Sequence, residues 1–186
     1  TRIVLELYMG ATDERAWQAL RKYYRRIRPA SHFIRVHLLK MLAADLGSAE
    51  AGEQTRELPF DDLVPKPRVQ VTQGVTIFAP REAVWPWLVQ MGCGRAGWYG
   101  IDVLDNGGEP SEREIVPELQ HVRVGDVLPA EPGNEAGFEV LHVAPDHALV
   151  LGALYDLDRD TTMPFESVPP THYWRAIWIF YLQPYG

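Results

Sequence analysis

The residues best placed to do chemistry cluster in "GCGRAGWYGID". Gly92, Gly94 and Gly97 fall at the G-x-G-x-x-G spacing of a dinucleotide loop, in which backbone amides at a helix N-terminus hold a pyrophosphate. That loop needs a strand before it and a helix after it. Here the preceding "REAVWPWLVQM" carries a helical pattern, and no acidic residue is convincingly placed on a following strand, so the glycines read as a helix stop and a tight loop, not a nucleotide site. Cys93, the single cysteine, has no basic partner in sequence other than Arg95, and no G-x-S-x-G or other hydrolase signature is present. Asp102, which follows "GWYGI", is the candidate acid or base: if buried, its carboxyl would be raised by desolvation and able to move a proton. Asp105 and Asn106 read as capping or turn residues, and Glu118 with His121 as a surface pair.

No metal site or cofactor is expected. His32 and His37 are five apart, about 140° around a helix, and His142 and His147 span a turn. Nothing in these residues commits the protein to catalysis, so whether it is an enzyme stays open.

The elements that would position these residues follow from periodicity. "TRIVLELYM" alternates, with Ile3, Leu5, Leu7 and Met9 opposite Arg2, Val4, Glu6 and Tyr8, and predicts a half-buried strand. From Thr12, the expected N-cap, Trp17, Leu20, Tyr24 and Ile27 predict a helix to about Arg28; Pro29 kinks or restarts it, and Ile34, Leu38, Met41 and Leu46 continue it to Gly47. Residues 47–67, with three prolines and no period, read as a connector. "RVQVTQGVTIFAP" predicts a strand and Pro80 opens the helix at "REAVWPWLVQM", bent or begun at Pro86. "GDVLPA", "GFEVLHVA", "ALVLGALYD" and "HYWRAIWIFYLQP" predict neighbouring antiparallel strands, because short connections leave no room for parallel crossovers. In the last, His172, Trp174, Ala176, Trp178, Phe180 and Leu182 face one way and Tyr173, Ile177, Ile179 and Tyr181 the other, so both faces are covered or one lines a cavity. His172 and Arg175 therefore lie on opposite faces.

A chain of 186 residues, 46% hydrophobic, buries one substantial core. Its formal charge of −7 argues against a nucleic-acid partner. No run of about 18 apolar residues marks a membrane span, and no signal-peptide pattern is present. One cysteine precludes an internal disulfide and fits a reducing cytoplasm, the expected location. Charge is divided unevenly: residues 1–46 hold nine Lys/Arg against four Asp/Glu, and the remainder nine against twenty-one, so the two parts attract. The centre of the basic excess, "RKYYRRIR", reads as a solvated helix face, with an anionic partner as its alternative.

The run "VTIFAPREAVWPWLVQMGCGRAGWYGIDVLDN", then "IVPELQHVRVGDVLP", "GFEVLHVAPDHALVL" and "WIFYLQP", resembles the SRPBCC superfamily, the START-like or polyketide-cyclase-like helix-grip proteins, over roughly residues 55–186. The family's final strand and long C-terminal helix are missing from that end, while "TRIVLEL" and "PASHFIRVHLLKML" look like them at the other. The resemblance thus implies a circularly permuted order in one α+β domain: residues 68–186 form a curved antiparallel sheet with its helices, and residues 1–46 the last strand and the gripped helix. Pairing of residues 1–9 with 172–183 is the consequence to look for. The alternative is a helical N-terminal appendage on a truncated domain, and an artefact of segment order would also mimic permutation.

The resemblance further implies an elongated apolar cavity between sheet and long helix. Trp85, Trp87, Trp98, Tyr99, Trp174 and Trp178 would wall it, with Arg175 free to bind a ligand carboxylate or to snorkel at the sheet edge. For any one tryptophan, plain packing is the competing reading. The expected partner is a small hydrophobic molecule. An enzyme resembling polyketide cyclases, using Asp102, is the second reading, and an interaction module with a basic helix the third.

Overall fold

The computed structural model describes residues 1–22, 63–64, 66–133 and 136–184. The fold is α+β, built on one seven-stranded antiparallel sheet: β1 (Arg2–Ala11), β2 (Val69–Thr76), β3 (Val127–Pro129), β4 (Gly137–Ala144), β5 (Ala148–Asp156), β6 (Thr161–Met163) and β7 (Tyr173–Gln183). The order across the sheet is β2-β1-β7-β5-β4-β3. β6 extends the β4 side of β5, since β4 takes Ala148–Gly152 and β6 takes Leu154–Asp156.

The pairing of the first strand with the last is present: β1 and β7 run antiparallel from Arg2↔Gln183 to Ala11↔Trp174. β1 also pairs with β2 on its other side and so lies within the sheet. It is not half-buried as its alternation predicts. Ile3, Leu5, Leu7 and Met9 enter the main core, and Val4, Glu6 and Tyr8 on the second face are buried as well. Polar residues survive there because they satisfy one another. Tyr8 donates to Glu6 Oε2, Thr72 Oγ1 donates to Glu6 Oε1 at 3.0 Å, and Gln70 Nε2 donates to Tyr8 Oη at 2.9 Å.

The first helix, α1, begins at residue 14 and is described to residue 22. Its cap is Asp13, whose Oδ1 accepts from the Ala16 amide at 2.8 Å, and not Thr12. Thr12 instead continues the sheet: its amide donates to the Tyr173 carbonyl at 3.1 Å and its Oγ1 accepts from the Tyr173 amide at 3.1 Å. The remainder of the expected kinked helix, residues 23–46, and nearly all of the connector lie outside the described residues.

The helix α2 (Arg81–Val89) packs Val84, Trp85, Leu88 and Val89 into the main core beside Leu20 of α1. Its N-cap is Pro80 in extended conformation, and Pro86 lies inside the helix. Among the described residues, no helix is long and apolar enough to cross a membrane, and no group of three or more His, Cys, Asp or Glu is arranged to hold a metal ion.

Candidate functional site

The glycine loop follows α2 and closes on itself. The Gly92 amide donates to the Gly97 carbonyl at 3.1 Å and the Gly97 amide to the Gly92 carbonyl at 3.0 Å, an isolated antiparallel bridge. Arg95 folds back over the end of the helix, its Nε donating to the Met91 carbonyl at 2.9 Å and an Nη to that of Val89 at 3.0 Å. Carbonyls that a helix end leaves unpaired are thereby satisfied, which is a structural and not an anion-binding use of the arginine. Burial is the main cause pushing the Cys93 thiol up, with the charges of Asp105 and Glu131 adding to it, so its reactive thiolate is disfavoured.

Next to this loop, a buried side chain that sequence reasoning passed over holds three segments together. Gln90 donates to Tyr99 Oη and to the Glu114 carbonyl (3.2 Å), and its Oε1 accepts from the Val116 amide (3.1 Å) and Gln120 Nε2 (3.2 Å). A glutamine inside an apolar helical pattern was the available signal.

Asp102 begins the four-residue helix α3 (Asp102–Asp105), is half-buried, and accepts from Ser111 Oγ at 2.6 Å. The deeper carboxyl is Asp105, at 6% exposure: its Oδ2 accepts from the Ile101 amide at 3.0 Å, while the buried Oδ1 has no hydrogen-bond partner among the described residues. Burial, the largest effect, and then the charge of Asp102 raise its pKa above 3.8, against the pull of the Ile101 amide. Between 3.8 and that raised value the folded protein holds a proton that the unfolded chain has released, so stability falls as pH rises through the window. Asp105→Asn should remove that loss. In urea titrations from pH 4 to pH 7, the variant should gain on the wild type with rising pH; parallel curves would refute the assignment. Asn106 turns the chain as expected, accepting from the Gly94 amide (3.0 Å) and donating to the Glu109 carbonyl (2.8 Å).

The aromatic candidates divide into separate groups. Trp98 and Trp178 pack together edge-on at 6.0 Å, with Phe138 stacked on Trp178 at 4.7 Å. Trp87 meets Tyr99 edge-on at 5.9 Å, and Trp85 is buried in the main core. Arg175 lies on the opposite sheet face from Trp174 and Trp178, its guanidinium 5.0 Å from the Phe165 ring centre and 5.6 Å from that of Tyr173. Trp174 differs from the rest. It stacks on Tyr155 at 5.1 Å with ring planes 7° apart, and both line a cavity of about 690 Å³ together with Phe138.

That cavity lies between α1 and the far end of the sheet. Arg15, Ala19 and Lys22, spaced at i, i+4 and i+7, form its helical side, and the alanine leaves room beneath the two cations. Ala153 and Gly137 border the cavity on the sheet side, and Glu131 and Asp160 stand on the loop side. The Tyr155 hydroxyl donates to Asp160 Oδ1 at 2.6 Å. At the rim, His172 Nδ1 lies 2.9 Å from Asp158 Oδ2 and its Nε2 3.6 Å from Asp13 Oδ2, which ties the start of α1 to the β5–β6 turn. The hydrogen bond with His172 is the main cause holding the Asp158 carboxyl below its ordinary value. Of the residues singled out in sequence, Trp174 and Lys22 of the basic run line this cavity; Phe138, Tyr155, Glu131 and Asp160 gave no signal, because strand alternation does not reveal where the helix leaves the sheet uncovered.

Comparison with known proteins finds no family model, no curated protein and no solved structure that matches this chain.

Proposed function

We propose that this protein binds a small hydrophobic molecule in the cavity between α1 and the sheet. The supporting observation is the cavity wall itself: a parallel Tyr155–Trp174 stack and Phe138 border about 690 Å³, a size suited to a small ligand. Kinship with the helix-grip proteins, in permuted order, belongs to this proposal, and the β1–β7 pairing supports it. The cyclase-like alternative has less support, because Asp102 does not line this cavity.

The test uses the neutral fluorescent probe N-phenyl-1-naphthylamine. Wild-type protein should bind it saturably, and Ala153→Leu, which fills the cavity without removing a core side chain, should weaken binding about tenfold or more, the scale of about 1.4 kcal/mol. Trp174→Ala should weaken it as well. Absence of saturable binding, or equal affinity in a folded Ala153→Leu protein, would overturn the proposal.

A further inference from the structure

The charges around the cavity are sorted by side. Arg15 and Lys22 stand on α1, Glu131 and Asp160 on the loops opposite, where the Tyr155 hydroxyl also lies. Arg15 is already engaged, its Nη1 3.6 Å from Asp158 Oδ1. Glu131 is half-buried, and among the described residues no hydrogen bond or ion pair engages its carboxylate. That carboxylate is therefore available to a cationic group entering the cavity. Asp160 has φ of 54°, in the left-handed region that a non-glycine residue adopts at a cost, and in that conformation it receives the Tyr155 hydroxyl.

Resting on the cavity reading above, we propose that the ligand is a hydrophobic amine, its ring against the Tyr155–Trp174 wall and its ammonium between Glu131 and Asp160. Aromatic rings beside carboxylates favour a cation twice over, through the negative ring faces and through direct charge attraction. The field at this end of the cavity has the required sign. The Tyr155 hydroxyl is pushed up to about 12, first by burial, then by its hydrogen bond to Asp160 and the charges of Asp160 and Glu131. It therefore stays protonated at neutral pH and engages one Asp160 oxygen. Lys22, the other cation among the described lining residues, opposes the ligand from the helix side and sets the sign of a control.

The experiment compares three probes on one ring: 1-naphthylmethylamine, a cation at pH 7, neutral 1-naphthylmethanol and anionic 1-naphthoate, each titrated by calorimetry against the full chain. The amine should bind about tenfold or more tighter than the naphthoate, with the preference shrinking as salt rises. Glu131→Gln and Asp160→Asn should each reduce amine affinity by more than they reduce alcohol affinity, and Lys22→Gln should tighten the amine. Equal or tighter naphthoate binding, or amine binding indifferent to both carboxylate substitutions, overturns the inference while binding of the alcohol still upholds the cavity. If none of the three binds, the cavity reading falls and takes the inference with it.

Discussion

Gly97→Ala should destabilise the protein by about 3 kcal/mol or more, combining overpacking with an unfavourable backbone conformation. Gly97 has φ of +81°, and a Cβ there would meet Ser111 Oγ, with Ser111 Cβ at 2.8 Å and Cα at 3.0 Å. Ser111 has no easy retreat. Its hydroxyl donates to Asp102 at 2.6 Å and accepts from the Tyr99 amide at 3.2 Å, so moving it strands both partners. Gly94 provides the internal comparison: φ is +67°, but nothing lies within 4 Å of its added Cβ. Gly94→Ala should therefore cost only about 1 kcal/mol, the conformational part alone. Urea midpoints of the two variants measure the difference, and equal losses would show that Ser111 does not crowd Gly97.

Trp178→Ala should cost about 3–5 kcal/mol, the range for truncating a large aromatic side chain in a core. Trp178 is 7% exposed and central to an aromatic group, with Phe138 stacked at 4.7 Å, Trp98 at 6.0 Å and Phe180 at 6.4 Å. Its removal opens a void among side chains that strands and loop hold apart. Trp174→Ala should cost less, because its ring borders an existing cavity and the loss shows mainly in ligand binding. Chemical unfolding of both variants checks the order. A loss below about 1 kcal/mol for Trp178→Ala would contradict its place in the core.

These two tryptophans show how far sequence reading reaches. Their even spacing placed both on one face of a strand, as the structure has them, but period 2 carries no information about what stands opposite each position. Four residues of strand separate them by about 13 Å. At one end of that span Trp178 packs against Phe138 and Trp98, and at the other Trp174 borders the cavity to which α1 presents Ala19. The carboxylates divide in the same way. Asp102 and Asp105 are equally acidic in sequence, and the short helix they share buries the second more deeply than the first.

The sequence by itself determined what short-range physics controls. Alternation placed the main strands, and a helical period followed by glycines placed α2 and its stop, whereas the pairing of the first strand with the last was expected only from the resemblance to helix-grip proteins. It left β6 hidden in a proline-rich stretch, because a three-residue strand is too short to show a period and exists by pairing with Leu154–Asp156. Tertiary structure alone decided that β1 is buried on both faces, that Gln90 joins three segments, and that the charged cavity opens beside Trp174. Each of these depends on residues far apart in the chain meeting in space. A local pattern sets which way a side chain points; what it meets there is set by the packing of other elements against it.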